Sequence, residues 1–313
     1  MLERLGYTDD MSLLEFARSY PDGNDLAART FVVGDALLRP PSMESRALNF
    51  SEQTGWSALC GVGLVLEGRN LRPVLLSTGI APGDKVPFDK EPTLVSVVNK
   101  ALGPDRAQGW LSDAVVYGVT PPTFHVAVGD VITAPNSGTV GSNVSWKSFS
   151  GFLTAGHVAN PVSAAVADPS GTLGKIAYSN DPAGHGKVVE ADVAVVELAP
   201  GVTCGRQIPN TATGNPNDAV VVRGQLGSVN ANIMGKLAWV FFPTYNATCG
   251  DTYFTTAQAS QPGDSGAPVL SNGGELLGHV VGASVGFCTY IQDIHYQLSF
   301  IGASTAFTGI RVK

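Results

Sequence analysis

From about residue 123 to 298 the chain runs as short apolar stretches cut by Gly, Pro, Asn and Asp, a punctuation that suits strands and turns. The runs are Phe124–Val128, Gly151–Leu153, Val188–Leu198, Ala219–Val222, Leu237–Phe242, Ala267–Leu270, Leu276–Val281 and Thr289–Ile291. With only 14% charged residues, 37 Gly and 20 Pro, the composition also favours strands and turns over a helical bundle. Greek-key barrels or a sandwich are the expected solutions. The stretch from Gln292 to Gly302 breaks the pattern with helical spacing at Ile294, Leu298 and Ile301, and reads as a terminal helix.

Upstream the text changes. Residues 1–50 read as a helical extension: Met11–Arg18 after Asp9-Asp10, which can cap it, then Asp25–Leu38, closed by Arg39-Pro40-Pro41. Their apolar stripes are expected to pack against a neighbouring domain. Residues 51–119 read as a small α/β domain. Strands are expected at Cys60–Leu66 and Leu71–Thr78 around the turn Glu67-Gly68-Arg69-Asn70, a helix at Thr93–Leu102 and a strand at Asp113–Val119. Gly61-x-Gly63 lacks the third glycine and the helix of a dinucleotide fingerprint, so no cofactor is expected there. Residues 120–313 form the third unit.

A net charge of −7 and no Lys/Arg cluster argue against nucleic acid or an anionic membrane as partner. No run of eighteen apolar residues predicts a spanning helix, and the opening residues lack the apolar core of a signal peptide. A cytoplasmic location is the expectation. Cys60, Cys204, Cys249 and Cys288 lie far apart without C-x-x-C spacing, so no metal is expected and free buried thiols are favoured over a Cys249–Cys288 bridge.

Three segments carry chemistry: Leu153-Thr154-Ala155-Gly156-His157-Val158, Ala191-Asp192-Val193-Ala194-Val195-Val196 and Gln261-Pro262-Gly263-Asp264-Ser265-Gly266. Acyl transfer to a serine needs a hydroxyl, a base within hydrogen-bond reach, a carboxylate orienting that base, and donors aimed at the oxyanion. Ser265 is the expected nucleophile, His157 the base and then acid, and Asp192 the group that holds the imidazole tautomer. Gly263 and Gly266 let the loop bend so that the Gly263 and Ser265 N–H groups form the oxyanion hole. The order His, Asp, Ser, and Ala267 two residues after the serine, exclude the G-x-S-x-G elbow and Ser-Asp-His order of the α/β-hydrolases. The other histidines, His125, His185, His279 and His295, read as structural or exposed, with substrate contact as the alternative for His279.

These segments, in this order and 35 and 73 positions apart, resemble the signature segments of the chymotrypsin/trypsin-like serine proteases, bacterial type. The resemblance covers roughly residues 123–313 and implies two Greek-key β-barrels with the site in the cleft between them. It implies a serine endopeptidase without cofactor, acting on a protein or peptide. Leu276–Ser284 is similar to the family's substrate-binding strand, which makes Val281, Gly282 and Ala283 candidate substrate contacts. The position six before the nucleophile is Ala259 by counting, or Gln258 or Ser260 if the loop differs in length. No carboxylate there implies a small or hydrophobic P1 residue. A further departure stands out: the family's zymogens pair the carboxylate before the serine with a new Ile-Val-Gly-Gly-like amino terminus, and no such segment precedes His157. Asp264 is therefore expected to be satisfied another way. Residues 51–119 more faintly resemble the domain preceding the protease in the plant narrow-leaf-type group. The alternative to an active peptidase is a silent or latent protease scaffold whose amino-terminal region binds a regulatory partner.

Overall fold

The computed structural model describes residues 12–38, 50–122, 132–133, 136–146, 149–168, 171–202, 210–225, 227–304 and 311–312. The expected strand at Phe124–Val128 with His125, the Asp9-Asp10 cap, the Arg39-Pro40-Pro41 stop and Cys204 lie outside them.

Helices α1 (Ser12–Ala17), α2 (Gly23–Leu38) and α3 (Phe50–Ala58) come first. They lead into β1 (Leu59–Glu67), β2 (Asn70–Ser77), β3 (Lys85–Pro87), α4 (Pro92–Leu102), α5 (Pro104–Leu111) and β4 (Val115–Gly118). β1 and β2 form an antiparallel hairpin, whereas β4 lies parallel to β2, a pairing that needs a crossover and receives it from α4 and α5. α3, α5 and β3 are not anticipated by the sequence pattern.

The remaining strands are β5 (Ile132–Thr133), β6 (Ser137–Gly138), β7 (Asn143–Trp146), β8 (Phe149–Thr154), β9 (Ala165–Asp168), β10 (Gly171–Asn180), β11 (Val189–Glu190) and β12 (Val193–Leu198). They continue with β13 (Ala219–Gly224), β14 (Gly227–Phe242), β15 (Ala247–Thr255), β16 (Pro268–Ser271), β17 (Leu276–Ser284) and β18 (Cys288–Asp293). Helix α6 (Ile294–Ser304) and β19 (Arg311–Val312) end the described chain. The fold is mainly β, as the composition implies.

Among the described residues these strands form two sheet systems. In one, the long strand β14 gives Gly227–Asn232 to β13 and Ile233–Phe242 to β15. The pairings β13–β16, β16–β17, β17–β18 and β18–β15 then close a ring of six strands. Closure leaves these strands no open edge, consistent with the double-barrel expectation. β14 also pairs with β1, Gly61 opposite Val240 and Val65 opposite Gly235, so β1, β2, β4 and β3 extend the same sheet. The second sheet runs β19-β7-β8-β12-β10-β9-β5-β6.

The expected single run Val188–Leu198 is split. β11 pairs with β15 of the ring and β12 with β8 and β10 of the other sheet, so the chain crosses between sheets at Ala191-Asp192. The terminal helix begins at Ile294 rather than Gln292, because Asp293 Oδ1 accepts the His295 N–H (2.7 Å) and caps it. Its Ile294 and Ile301 are buried with Val144, Trp146, Leu153, Leu270 and Leu276, joining the two sheets.

Beneath the ring, Leu13 and Phe16 of α1 are buried with Tyr253, Ala259, Ala267, Val269 and Val280, the last four of which flank the serine loop or its neighbouring strand. Phe16 and Tyr253 hold ring centroids 6.4 Å apart. Phe16→Ala is expected to lower unfolding free energy by about 3 kcal/mol in a urea titration, since it empties a fully buried aromatic site. A loss under ~1 kcal/mol would show that α1 is an appendage. Cys60, Cys249 and Cys288 are free and buried, and burial pushes the Cys60 and Cys288 thiols up to about 12. No helix among the described residues is long and apolar enough to cross a membrane.

Candidate active site

His157 follows β8, Asp192 stands at the crossing into β12, and Ser265 precedes β16. The first two come from one sheet system and the third from the ring, so the three meet at the seam between them. His157 Nε2 lies 2.8 Å from Ser265 Oγ, and His157 Nδ1 lies 2.6 Å from Asp192 Oδ2. Asp192 Oδ1 accepts the backbone N–H of His157 at 2.9 Å. Both carboxylate oxygens therefore face one residue, and an ionised carboxylate, which only accepts, requires the proton on Nδ1. Nε2 is left as an acceptor for the serine hydroxyl. All three side chains are buried: Ser265 and Asp192 are 0% exposed and His157 is 3% exposed.

The serine loop is strapped from the opposite sheet. The Thr139 N–H donates to Ser265 O and the Thr139 hydroxyl to Gly263 O, each at 2.8 Å, while the Thr154 hydroxyl donates to Thr139 O at 2.9 Å. Gly263 and Gly266 have φ of +96° and +84°, which only glycine adopts without strain. The Gly263 and Ser265 N–H groups have no acceptor among the described residues. Two free donors beside a serine oxygen can bind a developing negative charge. Asn136 Nδ2 donates to His157 O at 2.7 Å and steadies the other wall.

Asp264 is satisfied by backbone. Its Oδ1 accepts the Gln225 N–H (2.8 Å) and its Oδ2 the Gln261 N–H (3.0 Å). Gly224 makes that approach possible, since a Cβ there would collide with the carboxylate. Behind the loop a cavity of ≈290 Å³ is lined by Asp264, Ala259, Gln258, Ser260, Gln261 and the β13–β14 turn.

The candidate substrate contacts come from two segments that Thr289 links, since it pairs with Ala283 and its hydroxyl accepts the Ala259 N–H. Ala259 lines that cavity and belongs to the core cluster beneath the ring, whereas Val281, Gly282 and Ala283 are buried along β17, where Gly282 and Ala283 pair with Tyr290 and Thr289 of β18. The Thr289 hydroxyl ties the two regions, accepting the Ala259 N–H (2.9 Å) and lying 2.8 Å from the Ser260 hydroxyl. His279 is fully buried, with Ser142 and Gln297 on its ring nitrogens, and burial lowers its pKa to about 4. Both of its ring nitrogens are thus engaged within the protein. His185 is exposed and paired with Glu190 at 2.6 Å. Among the described residues no cluster of His, Cys, Asp or Glu side chains is arranged to hold a metal ion.

The sequence pattern does not single out Thr139, Asn136, Gln292 or Gln297. The last two stand in a stretch of mixed character, Thr289 to Leu298, that also holds Asp293 and His295, so nothing in the pattern marks them.

No protein-family model matches the chain, and no curated protein matches it. Among solved structures, Cellulomonas bogoriensis chymotrypsin is similar at 26% identity, covering 60% of this chain and 98% of that one with a TM-score of 0.46. Nocardiopsis protease (NAPase) is 24% identical over 59% of this chain and 97% of that one, TM-score 0.47. Thermobifida fusca protease A is 25% identical over 56% and 94%, TM-score 0.46.

Proposed function

We propose that the protein is a serine endopeptidase that hydrolyses peptide bonds through an acyl-enzyme on Ser265. The observation that carries this reading is the unbroken series from Asp192 Oδ2 through the His157 ring to Ser265 Oγ, at 2.6 and 2.8 Å. Ser265 Oγ attacks the scissile carbonyl carbon as its proton passes to His157 Nε2, and the carbonyl oxygen becomes an oxyanion held by the Gly263 and Ser265 N–H groups. Imidazolium, stabilised by Asp192, returns the proton to the leaving amine as the C–N bond breaks. Water then repeats the sequence on the ester and frees Ser265. The chemistry requires no cofactor.

Ala259 offers no charge, and the Ser260 and Thr289 hydroxyls are engaged with each other, which supports a small or hydrophobic P1 residue. One observation favours a second reading, a latent or silent form of the same site: Ser265 and His157 are almost wholly shielded from solvent. Reaction with a serine-directed fluorophosphonate separates the two. A single adduct on Ser265, absent in Ser265→Ala, is expected, with cleavage of a peptide library after small or apolar residues. A folded protein that takes no adduct would sink the peptidase reading.

A further inference from the structure

Asp192 sits where the backbone leaves one sheet for the other, between the last residue of β11 and the first of β12. Two glutamines serve its peptide groups in place of a strand neighbour. Gln292 Oε1 accepts the Asp192 N–H at 2.7 Å, and Gln297 Nε2 donates to Asp192 O at 3.1 Å. Both glutamines are fully buried.

Their orientations follow from their partners. Gln292 Nε2 faces two carbonyls, Glu190 O (3.1 Å) and Gly250 O (2.9 Å), so its oxygen must be the atom that meets the Asp192 N–H. Gln297 likewise turns its nitrogen to the Asp192 carbonyl and its oxygen to His279 Nδ1 at 2.8 Å. That nitrogen therefore carries the proton of the neutral imidazole, and His279 Nε2 accepts from the Ser142 hydroxyl at 3.1 Å. A reversed Gln297 amide would set its oxygen against the Asp192 carbonyl oxygen, whichever tautomer His279 took. The series admits one arrangement, and it ends on the peptide of Asp192.

We propose that Gln297, oriented by His279 and Ser142, is a positioning residue for the reaction: it fixes the Asp192 peptide and thereby the carboxylate that aligns the His157 ring. The proposal rests on the peptidase reading for its effect on rate, but not for its effect on geometry. Fixing both N–H and C=O of Asp192 sets the direction of its Cα–Cβ bond, and a small error there displaces the carboxylate from a 2.6 Å hydrogen bond.

The test is Gln297→Met, which keeps length and packing and removes both polar atoms. Two readouts are taken: the rate of Ser265 phosphonylation by a fluorophosphonate, and the low-field proton NMR resonance of His157 Nδ1–H that a short, charge-assisted hydrogen bond gives. The expected result is a rate about tenfold lower and a resonance moved upfield. An unchanged resonance in the folded variant overturns the positioning role, whether or not the wild type is labelled. Absence of labelling in the wild type overturns the peptidase reading alone. If Gln297→Met does not fold, Ser142→Ala loosens only the far end of the series. It is expected to shift the same resonance in the same direction by less, and no shift overturns the proposal.

Discussion

Asp192→Asn is expected to slow acylation of Ser265 by about 10⁴-fold while leaving the protein folded. The argument is one of proton inventory. The His157 N–H must still be met by an acceptor, so the asparagine oxygen takes the place of Oδ1 and its NH₂ the place of Oδ2. An NH₂ against Nδ1 forces the ring proton onto Nε2, and a protonated neutral Nε2 cannot receive the proton of Ser265. The substitution thus inverts the tautomer with little change of shape. Phosphonylation rates measured beside thermal unfolding check it. A rate within tenfold of wild type in a folded variant would show that Asp192 does not govern the imidazole.

Lys236→Met is expected to remove about 4 kcal/mol of stability, because it strands a buried carboxylate. Lys236 and Asp293 are both 0% exposed, with Nζ 2.6 Å from Asp293 Oδ2 and 3.3 Å from Asp251 Oδ1. The Tyr253 hydroxyl also donates to Asp293 Oδ2 at 2.6 Å. Burial by itself would raise the Asp293 pKa, but the Lys236 ammonium and then the Tyr253 hydroxyl override it and hold the carboxyl below its usual value. A depressed folded pKa gives stability that is complete above the unfolded value, about 4, and is lost as pH falls through the folded one. The gap between wild type and variant in urea unfolding should therefore be widest near neutrality and narrow below about pH 4. An equal gap at pH 7 and pH 3 would assign the loss to packing instead.

The strands with strong apolar runs, β8, β12, β16 and β17, were legible because burial on a sheet writes itself into neighbouring residues. β15 (ATCGDTYFT) was not: Gly250 and Asp251, the latter at φ +50°, interrupt its pattern where it pairs with three partners. β10 escaped for a similar reason, since Gly171, Gly174 and a bulge break its alternation. Helix α5 had a signal in Pro104 at its first turn, offset by Gly109 inside it. At the site, His157, Asp192 and Ser265 were readable because acyl transfer demands those residue types. Gln292 and Gln297 were not, because a buried amide acquires meaning only from what it faces. The continuity of β1 with β14 was equally hidden, as pairing between remote strands leaves no local mark.

That continuity has a consequence for how the chain is made. β1 leaves the ribosome early and can satisfy one edge at once with β2, but its other edge belongs to β14, which is synthesised much later. At ~5–20 residues per second the interval is on the order of ten seconds. For that time a buried-type strand, Leu-Cys-Gly-Val-Gly-Leu-Val-Leu, shows an unpaired edge to every other nascent chain nearby. Cellular yield should therefore depend on translation speed and on holdase capacity more than the finished molecule's stability would suggest.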